Sequence, residues 1–365
     1  MNLHLKSSHN HKETMSQMSK KSTSPKTAIV TGANSGIGKE TARHLLQHGY
    51  HVIMVCRNPQ KAEDARAELE HGISNEPMYD SGRVQGRANE VVEVTEVAEA
   101  AERAEKATVL ETTAEETTAS KSRIEIEICD LSDMSSIREL ATRLRARLTS
   151  VDRLINNAGI LSPARRELTR EGFEKTFATN HLAYFLLTRE LMPLLKAAPE
   201  VRIINVASDA HRYGRFEPTN LQLERGYNTS KAYGNSKLFN IMFTHELAKR
   251  LSDNGSGNGS GSGSGNRPGN GSNITTYSLH PGVVNTNFAA GNNSLFGRLF
   301  NLGRFFMLSP EKGARTTNYL ATEPNMERWN GRYFSNEKLS KATPIATNDD
   351  ACKTLWEQSE TFLRT

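Results

Sequence analysis

The sequence predicts an α/β fold: one domain built on a doubly wound parallel sheet. Short apolar runs of strand length alternate with amphipathic segments of helix length. The first run leads into a glycine-rich turn and then a helical pattern, the order that a ligand-binding βα unit requires. Setting aside three low-complexity segments leaves roughly 270 residues, enough for one large core.

Thr27–Thr31 (TAIVT) reads as the first strand, with a helical pattern through Leu45 and Leu46 that ends at Gly49. His51–Cys56 (HVIMVC) is the second strand, followed by a charged amphipathic helix over Pro59–Leu69. Ile124, Ile126 and Ile128 alternate with glutamates as a third strand. Ser132–Leu148 is expected to be a helix with Ile137, Leu140, Leu144 and Leu148 on one face. Val151–Ile155, Val201–Val206 and Ile274–Leu279 read as strands, and Glu171–Leu195 and Ser230–Leu251 as helices.

The segments set aside are residues 1–24, 72–122 and 253–273, leaving a domain over residues 25–365 with two insertions. Residues 1–24 are rich in Ser, Lys, His and Asn, lack an apolar signal core, and read as a disordered tail. Residues 253–273 are a flexible Gly/Ser/Asn tract. Within 72–122, Val91, Val94, Val97, Ala98 and Ala101 recur at helical spacing among glutamates, as a solvated insertion or a docking surface for a partner.

Composition narrows the function. The 46 Lys+Arg against 41 Asp+Glu give a net charge of +5, and the basic residues are dispersed, so no nucleic-acid surface is expected. No stretch reaches the roughly 18–20 apolar residues of a membrane span. The three cysteines, Cys56, Cys129 and Cys352, form neither a disulfide framework nor a metal motif, which favours a reducing, cytoplasmic setting without a bound metal.

In doubly wound sheets ligands sit beyond the carboxyl ends of the strands, and the informative residues follow strands here. Thr31-Gly32-Ala33-Asn34-Ser35-Gly36-Ile37-Gly38 follows the first. Its glycines let the backbone turn sharply and approach a pyrophosphate resting on the next helix N-terminus. Arg57, nineteen residues after Gly38, stands where a carboxylate would receive the ribose hydroxyl of NAD; a guanidinium suits a 2′-phosphate. With Lys39, it argues for NADP(H). Asp130-Leu131 ends the third strand, where the carboxylate either accepts from an adenine amino group or opens the turn before a Ser132 helix cap. Asn156-Asn157-Ala158-Gly159 ends the fourth, as turn chemistry or as a brace for a cofactor.

Tyr233 and Lys237 lie four residues apart on a helix, hence on one face. A phenol titrates near 10, and a nearby ammonium is expected to lower that value and suit the phenol to proton exchange with a substrate oxygen.

The ordered set Thr31–Gly38, Asn156–Gly159, Asn180, Ser208, Tyr233/Lys237 and Pro281-Gly282 resembles the short-chain dehydrogenase/reductase superfamily, with its Rossmann-type fold. Further details resemble the retinol-dehydrogenase-like branch: Gly38-Lys39-Glu40-Thr41-Ala42, Cys56-Arg57-Asn58, Asn180-His181-Leu182, the 25-residue interval from Ser208 to Tyr233, His280-Pro281-Gly282-Val283-Val284 and Gly331-Arg332-Tyr333-Phe334. The resemblance implies that Tyr233 is the proton donor and acceptor, that Lys237 lowers its pKa and holds the nicotinamide ribose, and that Ser208 binds the substrate oxygen. It implies that Asn180 anchors a water in a proton relay. Asn157, Ala158 and Gly159 would line the cofactor, Pro281, Gly282, Val283 and Val284 would pass beside the nicotinamide, and Thr286 would hold its carboxamide.

Two positions depart from the branch: Ala207 replaces a serine before the catalytic one, and Ser35 stands where some NADP-preferring members carry a basic residue. Both insertions are expected at strand amino ends, away from the site. Residues 288–308, with Phe288, Phe296, Phe300, Phe305 and Phe306 beside Arg298 and Arg304, read as a packed lid, a lipophilic-substrate cap or a peripheral membrane contact. The resemblance thus implies an NADP(H)-dependent oxidoreductase for a small, lipophilic carbonyl or alcohol substrate such as a retinoid, steroid, aldehyde or ketone, with a homodimer as one assembly open to it beside the monomers and tetramers of the family. The rival reading is a catalytically silent cofactor-binding adaptor.

Overall fold

The computed structural model describes residues 25–74, 122–161, 163–253, 273–284 and 308–364. The tail 1–24, most of both insertions, Thr286 and all of the 288–308 segment except Leu308 lie outside them.

Among the described residues, eight strands form one sheet in the order β3-β2-β1-β4-β5-β6-β7-β8. They are β1 (Thr27–Thr31), β2 (His51–Cys56), β3 (Ile124–Ile128), β4 (Arg153–Asn156), β5 (Val201–Val206), β6 (Ile274–His280), β7 (Tyr333–Ser335) and β8 (Lys338–Ser340). Pairing is parallel throughout except for the final β7–β8 hairpin, an antiparallel edge that the alternation did not announce. The order reverses between β1 and β4, which creates the crevice where doubly wound folds bind ligands.

Strand alternation splits the core into two layers. Ala28, Val30, Val52 and Met54 face one side with Leu45 and Leu46 of α1 (Gly36–Gln47), Leu69 of α2 (Pro59–Ser74) and Leu320. Ile29, Ile53 and Ile203 face the other, against Ile137 and Leu140 of α3 (Met134–Arg147), Phe185 and Leu191, and Phe239 and Met242. Each such fully buried side chain contributes roughly 1.5–3 kcal/mol relative to exposure.

Several boundaries differ from the sequence reading for local reasons. The third helix starts at Met134, not Ser132, because Asp133 caps it, accepting from Ser135 N at 2.8 Å and Ser136 N at 3.1 Å. The helix expected from Glu171 starts at Lys175. Leu168 and Glu174 first form a β-bridge, and the buried Glu174 carboxylate then caps the turn through Thr176 N and Phe177 N. That helix is also not uniform: α4 (Lys175–Phe177) runs through a π turn over Ala178–Leu182 into α5 (Ala183–Ala197). The long helix α6 (Thr229–Asp253) precedes β6, α7 (Pro310–Thr322) follows it, and α8 (Asp349–Phe362) closes the chain against α6.

Two buried arginines bind the C-terminus of α7 to the sheet. Arg153 Nε donates to Ala321 O at 2.7 Å, and Arg202 donates to Leu320 O at 3.0 Å and Glu323 O at 2.6 Å. Cationic donors on the last carbonyls of a helix satisfy groups that would otherwise be orphaned in the core. Both insertions emerge between a helix and the amino end of the next strand, β3 or β6, opposite the carboxyl-end crevice.

Candidate active site

The carboxyl ends of β1 and β4 are joined by one hydroxyl. Thr31 Oγ1 accepts from Asn157 N at 2.8 Å and Ala158 N at 3.0 Å and donates to Ile155 O at 3.2 Å. The Asn157 side chain donates to Thr31 O at 2.8 Å, so the fourth-strand turn lies on the glycine turn. Gly32 takes φ of +67° and Gly36 +56°. A Cβ on Gly38 would lie 2.3 Å from Gly32 O and 2.6 Å from Asn157 Nδ2, so only glycine allows this closure.

Helix α1 begins at this closure with Ser35 at its N-cap, no side-chain cap bond and no acidic residue in its first turn. Its first amides therefore face the crevice with no carboxylate competing for them, which suits an anion. Gly32 N donates to Val55 O at 2.8 Å, bringing the end of β2, and Arg57 after it, beside the turn. Arg57 is exposed and has no ion pair or hydrogen bond among the described residues, whereas Lys39 is paired with Glu68 on α2. Asp130 Oδ1 accepts from Ser132 N at 2.9 Å and Ser132 Oγ at 2.7 Å, which gives the turn reading of that carboxylate a place in the structure. Asn156 points into the core, donating to Asn205 Oδ1 at 2.8 Å and Thr188 Oγ1 at 3.2 Å, unlike its neighbour. Leu131 is buried, and Val284, also buried, pairs with Leu308 across a β-bridge.

Asn180 and Lys237 meet at the Gly159 turn, with Tyr233 one helical turn before Lys237. Asn180 sits in the π turn, whose wider winding is a recurrent feature of functional sites. Its Oδ1 accepts from Ile160 N at 2.8 Å, and its Nδ2 donates to Ile160 O and to Ser236 Oγ, both at 3.0 Å. A Cβ on Gly159 would lie 3.2 Å from Asn180 Oδ1 and 3.5 Å from Lys237 Nζ, so Gly159 leaves room above both. Lys237 Nζ donates to Val206 O at 3.0 Å and lies 5.6 Å from the centre of the Tyr233 ring. Ser208 caps the 3-10 turn Asp209–Tyr213, with its Oγ accepting from Ala210 N at 3.2 Å, and its side chain lies close enough to the Tyr233 phenol to lower its pKa.

Gly214 and Gly234, which the motif reading passed over, make that last contact reachable. A Cβ on Gly214 would meet Gly234 O at 2.7 Å, and one on Gly234 would meet Ala210 O at 3.0 Å. Two glycines facing each other thus let the turn after Ser208 press onto α6 beside Tyr233. The only sequence signal was a glycine directly following the tyrosine.

Titration of the Tyr233–Lys237 pair differs from the expectation. Burial pushes the Tyr233 phenol up to about 12, against a smaller lowering by Ser208, and burial alone brings Lys237 down to about 7. Desolvation penalises the phenolate and the ammonium alike, so in this state the lysine does not lower the phenol. Tyr233 as a residue keeps partial exposure, while Lys237 is buried.

Among the described residues no cluster of metal-ligating side chains occurs, and no helix is long and apolar enough to cross a membrane. The family model described as short chain dehydrogenase matches residues 26–107 and 88–255. Human retinol dehydrogenase 14 is 34% identical over 341 residues, covering 93% of this chain and 86% of that protein. Human retinol dehydrogenase 11 is 33% identical over 334 residues, covering 92% of this chain and 84% of that protein. The crystal structure of an uncharacterized protein from Mycobacterium Paratuberculosis superposes with a TM-score of 0.62 at 26% identity, covering 93% of this chain and 94% of that one. The fold agrees with these matches: the chain belongs to the short-chain dehydrogenase/reductase family, retinol-dehydrogenase-like, and is an oxidoreductase acting on CH–OH groups.

Proposed function

We propose that the protein is an NADP(H)-dependent oxidoreductase that interconverts a hydroxyl and a carbonyl on a small lipophilic substrate, with Tyr233 as the acid/base. The observation that carries this reading is the placement of the Ser208 side chain against the Tyr233 phenol, with Lys237 Nζ, one helical turn further on, 5.6 Å from the centre of the Tyr233 ring. A substrate oxygen placed between the two hydroxyls receives a hydrogen bond from Ser208 and exchanges its proton with Tyr233. When bound, the nicotinamide supplies or accepts the hydride. Lys237, beside the Gly159 turn, holds the ribose and, once charged, favours the phenolate. Asn180 fixes the Ile160 backbone next to both and holds a relay water. Asn157, Ala158, Gly159, Pro281, Gly282, Val284 and Thr286 complete the cofactor channel, and Asp130 and Leu131 flank the adenine.

Support for the 2′-phosphate comes from Arg57, which has no ion pair among the described residues and lies near the glycine turn, with no carboxylate in its place. Support for a lipophilic substrate comes from the apolar side chains left exposed at the crevice end, Val283 at 54% and Leu308 at 36%, joined by the Leu308 N to Val283 O bond. The retinol dehydrogenase relatives point the same way. Purified protein assayed with retinal, steroid ketones, aliphatic aldehydes and quinones, each with NADPH and with NADH, tests it. NADPH-driven reduction of at least one apolar carbonyl is expected. Turnover with NADH alone contradicts the cofactor assignment, and no turnover with any of them contradicts the reading.

A further inference from the structure

Asp209, the residue after Ser208, holds a set of contacts that the reaction scheme leaves unused. Its Oδ1 accepts from the Tyr333 hydroxyl at 3.0 Å and lies 3.5 Å from Arg212 Nε, and its Oδ2 lies 3.6 Å from His280 Nε2. Tyr333 is buried at the start of β7, and His280 ends β6 immediately before the Pro281-Gly282 turn, where Gly282 takes φ of +86°. One carboxylate thus joins the turn that carries Ser208 to the ends of the two neighbouring strands.

A second connection holds the other end of the same turn. Thr343 N, which can only donate, reaches His211 Nε2 at 3.3 Å, so the proton of His211 sits on Nδ1 and is donated to Ser208 O at 2.8 Å. Arg212 Nη2 donates to Lys341 O at 3.2 Å, adding a third link to the segment after β8. The turn spans only five residues, so these anchors fix the direction in which Ser208 Oγ points.

We propose that Asp209 is a positioning residue: by binding Tyr333 and His280 it orients the 3-10 turn so that Ser208 Oγ stays in contact with Tyr233. This rests on reading Ser208 and Tyr233 as the reacting pair. Stability does not account for the arrangement. The Asp209 side chain is 47% exposed, and a half-exposed ion pair of this kind contributes little to folding. Its removal is therefore expected to leave a folded protein with a misdirected serine. A displacement of about 1 Å at a reacting group costs up to roughly a hundredfold in rate.

The test is a double-mutant cycle on Asp209 and Tyr333, read in kcat for an apolar carbonyl with NADPH, with a crystal structure of Asp209→Ala as a readout that needs no turnover. Asp209→Ala is expected to lower kcat at least about tenfold and to leave the NADPH dissociation constant within about twofold. Asp209→Asn, which keeps an acceptor for Tyr333, recovers most of the loss. Tyr333→Phe also lowers kcat, and the double variant falls no further than Asp209→Ala alone. In the variant crystal structure Ser208 Oγ has left Tyr233. Unchanged kcat in Asp209→Ala, losses that multiply in the double variant, NADPH affinity that falls in parallel with kcat, or a Ser208 that keeps its contact with Tyr233 would each overturn the proposal. A wild-type protein without carbonyl turnover would instead sink the functional reading, and the Asp209→Ala crystal structure would still decide whether Asp209 positions Ser208.

Discussion

Lys237 Nζ donates to the main-chain carbonyl of Val206 at 3.0 Å, so the lysine one helical turn from Tyr233 is held by the last residue of β5. Burial brings this lysine from 10.5 down to about 7, so between about pH 7 and 10.5 the unfolded chain binds a proton there that the folded chain does not. Stability contributed by the group therefore rises with pH across that window. Tyr233 acts in the opposite sense: between about pH 10 and 12 the fold keeps a proton that the unfolded chain has lost, and stability falls. Lys237→Met removes the first effect. Urea unfolding of cofactor-free protein at pH 7 and pH 9.5 is expected to show the wild type gaining on the variant at the higher pH. A pH-independent difference between them would contradict the burial of Lys237.

The glycine closure predicts a steric failure at a position with no side chain. Gly38→Ala places a methyl 2.3 Å from Gly32 O, in backbone that cannot give way without opening the turn. NADPH affinity, followed by fluorescence titration, is expected to drop more than about tenfold, with a lowered melting temperature. Retention of both would mean that the turn is not closed as described.

Thr31→Val tests the joint between β1 and β4 without changing volume much. It leaves Asn157 N and Ala158 N without their acceptor in the interior of the crevice. Unsatisfied buried donors cost about 1–3 kcal/mol each, reduced where water reaches them. Denaturant midpoints should shift down accordingly, and an unshifted midpoint would assign the joint to other contacts.

Cofactor choice is predicted to rest on Arg57 rather than on Lys39, whose ammonium is engaged by Glu68. Arg57→Ala should raise the NADPH dissociation constant roughly tenfold with little change for NADH. Lys39→Ala should change the ratio less. Equal loss for both cofactors in Arg57→Ala would remove the 2′-phosphate assignment.

Strand positions were legible where apolar runs end abruptly in polar or glycine residues: β1, β2, β3 and β5 occupy the residues the patterning marks. β4 starts at Arg153 rather than Val151, because the Asp152 carboxylate accepts from Thr27 N at 2.8 Å and the preceding residues serve that turn. Arg153 and Arg202 lie buried in central strands, where a charge argues against a strand. Besides the Glu200 carboxylate, which both reach, their partners are the last carbonyls of α7, more than a hundred residues away, which no local pattern reveals. The π turn bearing Asn180 was hidden because hydrophobic spacing hardly distinguishes it from a regular helix. The candidate cluster was legible as an ordered set of residue types. Gly214, Gly234 and Asp209, which aim that cluster, were not, since their roles exist only once α6 and the turn after β5 are brought together.

The most direct measurement is turnover by Tyr233→Phe, which keeps the ring and removes only the hydroxyl that meets Ser208. NADPH-dependent reduction of an apolar carbonyl is expected to fall about a thousandfold while NADPH still binds within about twofold of wild type. Wild-type turnover in that variant would contradict the assignment of Tyr233 as the acid/base.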